Sequence, residues 1–94
     1  MKVGITFKAI DRYTHQPIPG VNTTLETPQT GLTLYTGPDG IATFTVDVGG
    51  EEVGRHPEEG IPITITANKR GYYQWRRRFM CYENRGIIAQ MERT

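Results

Sequence analysis

Val3, Ile5, Phe7 and Ala9 recur at every second position, with Thr6 and Lys8 between them. That period belongs to a strand with one buried face, so residues 3–9 are predicted as the first strand. Residues 11–20 interrupt it with Pro17-Ile18-Pro19-Gly20. Its two prolines have no N–H to give a ladder, so this stretch reads as a turn. Alternation resumes at Val21, Thr23 and Leu25, breaks at 28–31, and returns as a short strand over 32–36 that runs into Gly37-Pro38-Asp39-Gly40. An Asp-Gly pair between alternating runs signals a hairpin, because glycine accepts the positive φ of a tight turn. Residues 32–48 are therefore predicted as a hairpin whose second arm buries Ala42, Phe44, Val46 and Val48.

Residues 49–60 carry four glutamates, Arg55, His56 and Pro57 without periodicity, and are predicted as an exposed acidic loop. Ile61, Ile63, Ile65 and Ala67 then alternate with Pro62, Thr64 and Thr66; Pro62 belongs at the start of this strand or at a sheet edge. Lys69-Arg70-Gly71 turns the chain into a longer aromatic and basic strand over 72–82. Glu83 to Gly86 turns it again, and Ile87, Ala89 and Met91 mark the last strand. About seven short strands with no helical periodicity predict an all-β fold, a single antiparallel β-sandwich with immunoglobulin-like or transthyretin-like topology. A chain of 94 residues has material for one core, so residues 1–94 form one domain.

The ordered set Ile5-Thr6-Phe7-Lys8-Ala9-Ile10-Asp11, Thr14-His15-Gln16-Pro17-Ile18-Pro19-Gly20-Val21, Thr36-Gly37-Pro38-Asp39-Gly40-Ile41-Ala42-Thr43-Phe44 and Ile63-Thr64-Ile65-Thr66-Ala67 with Gly71-Tyr72 resembles the carboxypeptidase-regulatory-like β-sandwich domains. Bacterial Ig-like and Cna-B-type modules are similar. The resemblance implies that Pro-Ile-Pro-Gly crosses between sheets and that Tyr72 covers one end of the core. It also implies the function of such modules: spacers, stalk segments, accessory domains beside enzymes, or parts of virions and phage tails. The sequence departs from the pattern at His15, where Gly or Asn is more usual, and in the acidic insertion over 49–60.

Composition adds limits. Cys81 is the only cysteine, so the fold holds without an internal disulfide, and its alternation with Phe79 predicts a buried strand position. Net charge is +1, but residues 1–68 hold four basic and eight acidic groups while residues 69–94 hold seven basic and two acidic ones. The chain is electrically two-sided. His15 and His56 are the only histidines. Transthyretin-related hydrolases share this kind of sandwich, but their clustered histidines and C-terminal Tyr-Arg-Gly-Ser signature are missing. The iron site of intradiol dioxygenases needs a His pair that this chain does not offer. The acidic residues around 39–59 lack the alternate ligand spacing of a calcium loop. No catalytic residue and no cofactor are assigned, and a small metal-dependent enzyme remains a remote alternative.

The most distinctive segment is 72–79, where rings and arginines interleave. Strict alternation places Tyr73, Trp75, Arg77 and Phe79 on one face and Tyr72, Gln74, Arg76, Arg78 and Met80 on the other. Tyr73, Trp75, Arg76, Arg77 and Arg78 are the candidate binding residues. Arginines neutralise phosphates or carboxylates and rings stack on bases or sugars, so the strand suits a protein interface, a polysaccharide or a nucleic acid. The alternative is that the rings are core and the arginines guard an edge. The expected function is a non-catalytic structural or interaction module, with other protein domains or copies of itself as partners. The alternating first residues have no apolar h-region, so no signal peptide and no membrane insertion are expected. That fits a fragment of a secreted or surface protein, or a virion component made in the cytoplasm.

Overall fold

The computed structural model describes residues 2–47 and 60–94. Seven strands, β1 (Lys2–Asp11), β2 (Asn22–Glu26), β3 (Gly31–Tyr35), β4 (Ile41–Asp47), β5 (Ile61–Asn68), β6 (Trp75–Cys81) and β7 (Arg85–Met91), form two packed sheets. One sheet has the order β4-β1-β7 and the other β3-β2-β5-β6. The expected β-sandwich is present, and no helix occurs among the described residues. Alternation sets the faces as predicted: β1 buries Val3, Ile5, Phe7 and Ala9, β4 buries Ala42, Phe44 and Val46, and β5 buries Ile61, Ile63, Ile65 and Ala67. Phe7 and Phe44 are the largest fully buried side chains, each worth roughly 1.5–3 kcal/mol of burial.

The Pro17-Ile18-Pro19-Gly20 segment does cross between sheets, from β1 to β2, and Ile18 anchors it in the core. His15 has φ 62°, in the left-handed region, which is the conformation that favours the Gly or Asn expected there. Pro62 is the second residue of β5, an interior strand, so of the two places expected for it the strand start is the one realised.

The predicted 32–48 hairpin is corrected. Asp39-Gly40 does make a tight turn: Gly40 N–H donates to Gly37 O at 2.9 Å, and Asp39 Oδ1 accepts from Ile41 N–H at 3.0 Å. The arms on either side, however, join different sheets. β3 pairs antiparallel with β2, from Asn22↔Tyr35 to Glu26↔Gly31, and β4 pairs with β1 from Lys2↔Asp47 to Lys8↔Ile41. The crossing is held from outside the turn. Thr36 is buried, donating its hydroxyl to Ile18 O at 2.7 Å and accepting Val21 N–H at 2.9 Å, while Gly40 O accepts Ala9 N–H at 2.8 Å. Gly40 has φ 76°, and a Cβ there would lie 2.6 Å from Ala9 O, so only glycine lets this corner sit against β1.

β1 pairs with β7 in parallel, from Ile5↔Arg85 to Asp11↔Met91, whereas every other strand pairing among the described residues is antiparallel. The chain therefore enters the domain at one pole and leaves at the other. The acidic stretch 49–59 and the proposed burial of Val48 lie outside the described residues.

Candidate functional site: the arginine strand and the clasp that leads into it

Among the described residues β6 is an edge strand, paired only with β5, from Ile61↔Cys81 to Ala67↔Trp75. The register puts Trp75, Arg77, Phe79 and Cys81 opposite Ala67, Ile65, Ile63 and Ile61, which are all buried. Trp75 is half-buried and lies against Phe7 of the other sheet, with ring centroids 5.6 Å apart and planes tilted by 58°. Phe79 packs against the core too, and the Arg85 guanidinium sits 4.7 Å from its ring centroid. That cation–π contact joins two partly buried side chains and stabilises by about 0.5–2 kcal/mol. Burial pushes the Cys81 thiol pKa up, and the thiol donates to Glu83 O. It is a core hydrophobe, as predicted.

The candidate binding residues thus divide. Arg76 and Arg78 stand together on the outer face of the four-stranded sheet, opposite Thr66 and Thr64, whose β2 partners are Thr24 and Glu26. The outer row continues to Thr33 of β3, whose hydroxyl lies 3.0 Å from that of Thr24. Arg77 takes an inward-facing position yet is exposed, because β6 is the sheet edge and a long side chain there reaches water. Trp75 belongs to the core wall. Tyr73 precedes β6 in an extended connection, 60% exposed, with its N–H donating to Glu92 O. Strict alternation had grouped Tyr73 with Trp75; the strand begins at Trp75, not at Tyr72, and this separates them. Arg76, Arg77 and Arg78 make no ion pair or side-chain hydrogen bond among the described residues.

The connection into β6 is fastened by a group that sequence reasoning missed. Asp11 continues the inward phase of β1 and is 2% exposed. Its Oδ1 accepts the N–H groups of Tyr13 at 2.9 Å and Thr14 at 3.0 Å, and its Oδ2 accepts the Tyr72 hydroxyl at 2.8 Å and Nε of Arg93. The Thr14 N–H, then the Tyr72 hydroxyl, the Tyr13 N–H and Arg93, hold this carboxyl well below the usual carboxylate range against the opposing effect of burial. A carboxylate in phase with Ile5, Phe7 and Ala9, with Thr three residues on, was the signal available. Arg93 also pairs its backbone with Tyr72. One carboxylate so joins the end of β1, the following turn, the approach to β6 and the C-terminal segment. A cleft of about 360 Å³ lies beside it, bordered by Thr14, Pro17, Lys69, Tyr72 and Arg93.

With four donors on its two oxygens, Asp11 has no lone pair placed to take a substrate proton. Among the described residues no buried side-chain polar atom lacks a hydrogen-bond partner. Nor do three or more His, Cys, Asp or Glu side chains gather there as a metal would require.

No family model matches the sequence, and no curated protein matches it. Among the solved structures that it resembles is the Bacillus anthracis TIE protein, with a TM-score of 0.70 and 18% sequence identity. The match covers 100% of this chain and 18% of that one. The likeness shows the fold: a small all-β domain of two packed sheets.

Proposed function

We propose that this chain is a non-catalytic structural and interaction module, a load-transmitting spacer within a longer surface protein or a virion or phage-tail assembly, of the carboxypeptidase-regulatory-like or Cna-B-like kind. The observation that carries this reading is the parallel pairing of the first and last strands. Lys2 and Thr94 lie at opposite poles, with β1 alone spanning roughly 30 Å at about 3.3 Å per residue. Units joined through such ends string along one axis. The same two-sheet fold matching 18% of a much longer chain supports the reading.

The pairing also sets the response to force. Tension on the two termini slides β1 against β7, so the bonds of that ladder share the load. Tension between the N-terminus and Thr45, which lies across from Gly4, opens the β1–β4 pair one bond at a time. Single-molecule pulling compares the two directions, with a Thr45→Cys attachment for the second; Cys81 is buried and does not react. The terminus-to-terminus direction is expected to resist several-fold more force. Equal forces in the two directions overturn the load-bearing reading.

A second reading rests on the free arginines. Arg76 and Arg78 on the Thr-rich outer face, with Arg77 at the edge, suit a polyanion such as an acidic glycan or a nucleic acid. Trp75 packs in the core wall, so in this reading charge and hydroxyl contacts carry the binding and base stacking does not.

A further inference from the structure

We infer that β3 is a self-pairing edge, through which two copies of this domain join their four-stranded sheets about a two-fold axis at Thr33. The inference goes beyond the spacer reading and does not depend on it.

All five residues of β3, Gly31-Leu32-Thr33-Leu34-Tyr35, are exposed, and none is charged or a proline. Leu32 and Leu34 stand opposite the buried Leu25 and Thr23, so they face inward, yet each is 40% exposed. Among the described residues nothing hydrogen-bonds to the side of β3 away from β2. The ladder fixes which groups are unused. Thr36 N–H bonds Val21 O, and antiparallel alternation then points the N–H and C=O of Leu34 and Leu32 toward β2 and those of Tyr35, Thr33 and Gly31 outward.

Those outward residues are symmetric about Thr33. In an antiparallel pair centred there, Thr33 exchanges both hydrogen bonds with its own copy, and Gly31 does so with Tyr35 of the second copy. The side chains agree with this register. Leu32 faces Leu34 of the second copy, which covers both leucines at the open end of the core. On the outer face each Tyr35 ring lies over a Gly31, a pairing that supports glycine in a strand. Glu26, the β2 partner of Gly31, stands beside that ring as an acceptor for its hydroxyl, and no like charges meet across the axis. A five-residue strand covers well under the about 800 Å² per partner of a standard interface, so the dimer is weak, with Kd between about 10 μM and 1 mM.

Sedimentation of the whole chain from about 10 μM to 1 mM reads the dimer directly. An average mass about 1.5 to 1.9 times that of the monomer is expected at the upper end, with Kd raised at least about ten-fold by Leu34→Lys or by Thr33→Arg, whose side chain is on the outer face and leaves the fold intact by circular dichroism. A monomer throughout this range overturns the inference. So does a dimer that both substitutions leave unchanged.

Discussion

The four-stranded sheet has two edges, and the sequence treats them in opposite ways. β6 carries three consecutive exposed arginines and presses Trp75, Phe79 and Cys81 into the core. β3 carries no charge, and its leucines face inward without being covered. An added strand at β6 would have to pass Arg77 and set like charges from two copies near each other, whereas at β3 it meets unused backbone groups and leucines. A sandwich can therefore close one edge by charge and anchoring while keeping the other short and adhesive. Burial explains why the same sheet supports both: β6 is fixed by the core and so can hold charged side chains away from it, while β3 is held mainly by its ladder with β2.

The largest effect that tests this contrast comes from two glycines. Gly60 has φ 72°, and a Cβ there would lie 2.2 Å from Cys81 O at the end of β6. A Cβ at Gly31, on β3, would make only ordinary van der Waals contact, with its nearest neighbours at 3.9 Å. Gly60→Ala is expected to destabilise by about 3 kcal/mol or more and Gly31→Ala by less than about 1 kcal/mol, read from urea midpoints at constant m-value. Similar costs at the two sites would mean that β6 is no more tightly held than β3.

Next in size is truncation of one inward side chain on each edge. Trp75→Ala removes a ring that packs on Phe7 and is expected to cost about 2–3 kcal/mol, while Leu34→Ala, at a partly exposed position, costs about 1 kcal/mol or less. Chemical denaturation well below the dimer Kd keeps the comparison one of monomers. A Leu34→Ala loss as large as that of Trp75→Ala would contradict the uncovered position of β3.

The clasp that steadies the approach to β6 is distinguished by its pH dependence. Folding holds the Asp11 carboxyl below the unfolded value of about 3.9, so it favours the charged form. The stability it supplies is complete above about pH 5 and declines as pH falls through 4 toward the lowered folded value. Asp11→Asn keeps an acceptor for the Tyr13 and Thr14 N–H groups but cannot neutralise Arg93. The difference in urea midpoint between wild type and Asp11→Asn should be constant from about pH 7 to 5 and narrow below about pH 4. A gap that stays constant to about pH 2 would show that the charge of Asp11 contributes nothing.

Much of this architecture was legible in the residue order. The buried faces of β1, β4, β5 and β7 follow from alternation, and Pro17 to Gly20 marked the first crossing between sheets. The candidate site was legible only in part. Arg76, Arg77 and Arg78 were named as binding candidates on a strand, and they lie exposed on β6. Trp75 looked like a binding ring because nothing near it in sequence reveals Phe7 beneath it, 68 residues away. Asp11 drew no notice because its Tyr72 and Arg93 partners are 61 and 82 residues distant.

By itself, the sequence determined which stretches form strands and which of their sides face inward, because both depend on neighbours within a few residues and on the two-residue period of the extended backbone. Only the tertiary structure decided which strands pair. Leu32–Thr33–Leu34 carries the alternation of a strand whether it follows β2 or precedes β4, and Asp39-Gly40 makes the same tight turn in a hairpin or between sheets. Covering both apolar faces at once selected the second arrangement. It also laid β7 parallel to β1, placed the chain ends at opposite poles, and left one edge of the sheet guarded and the other open.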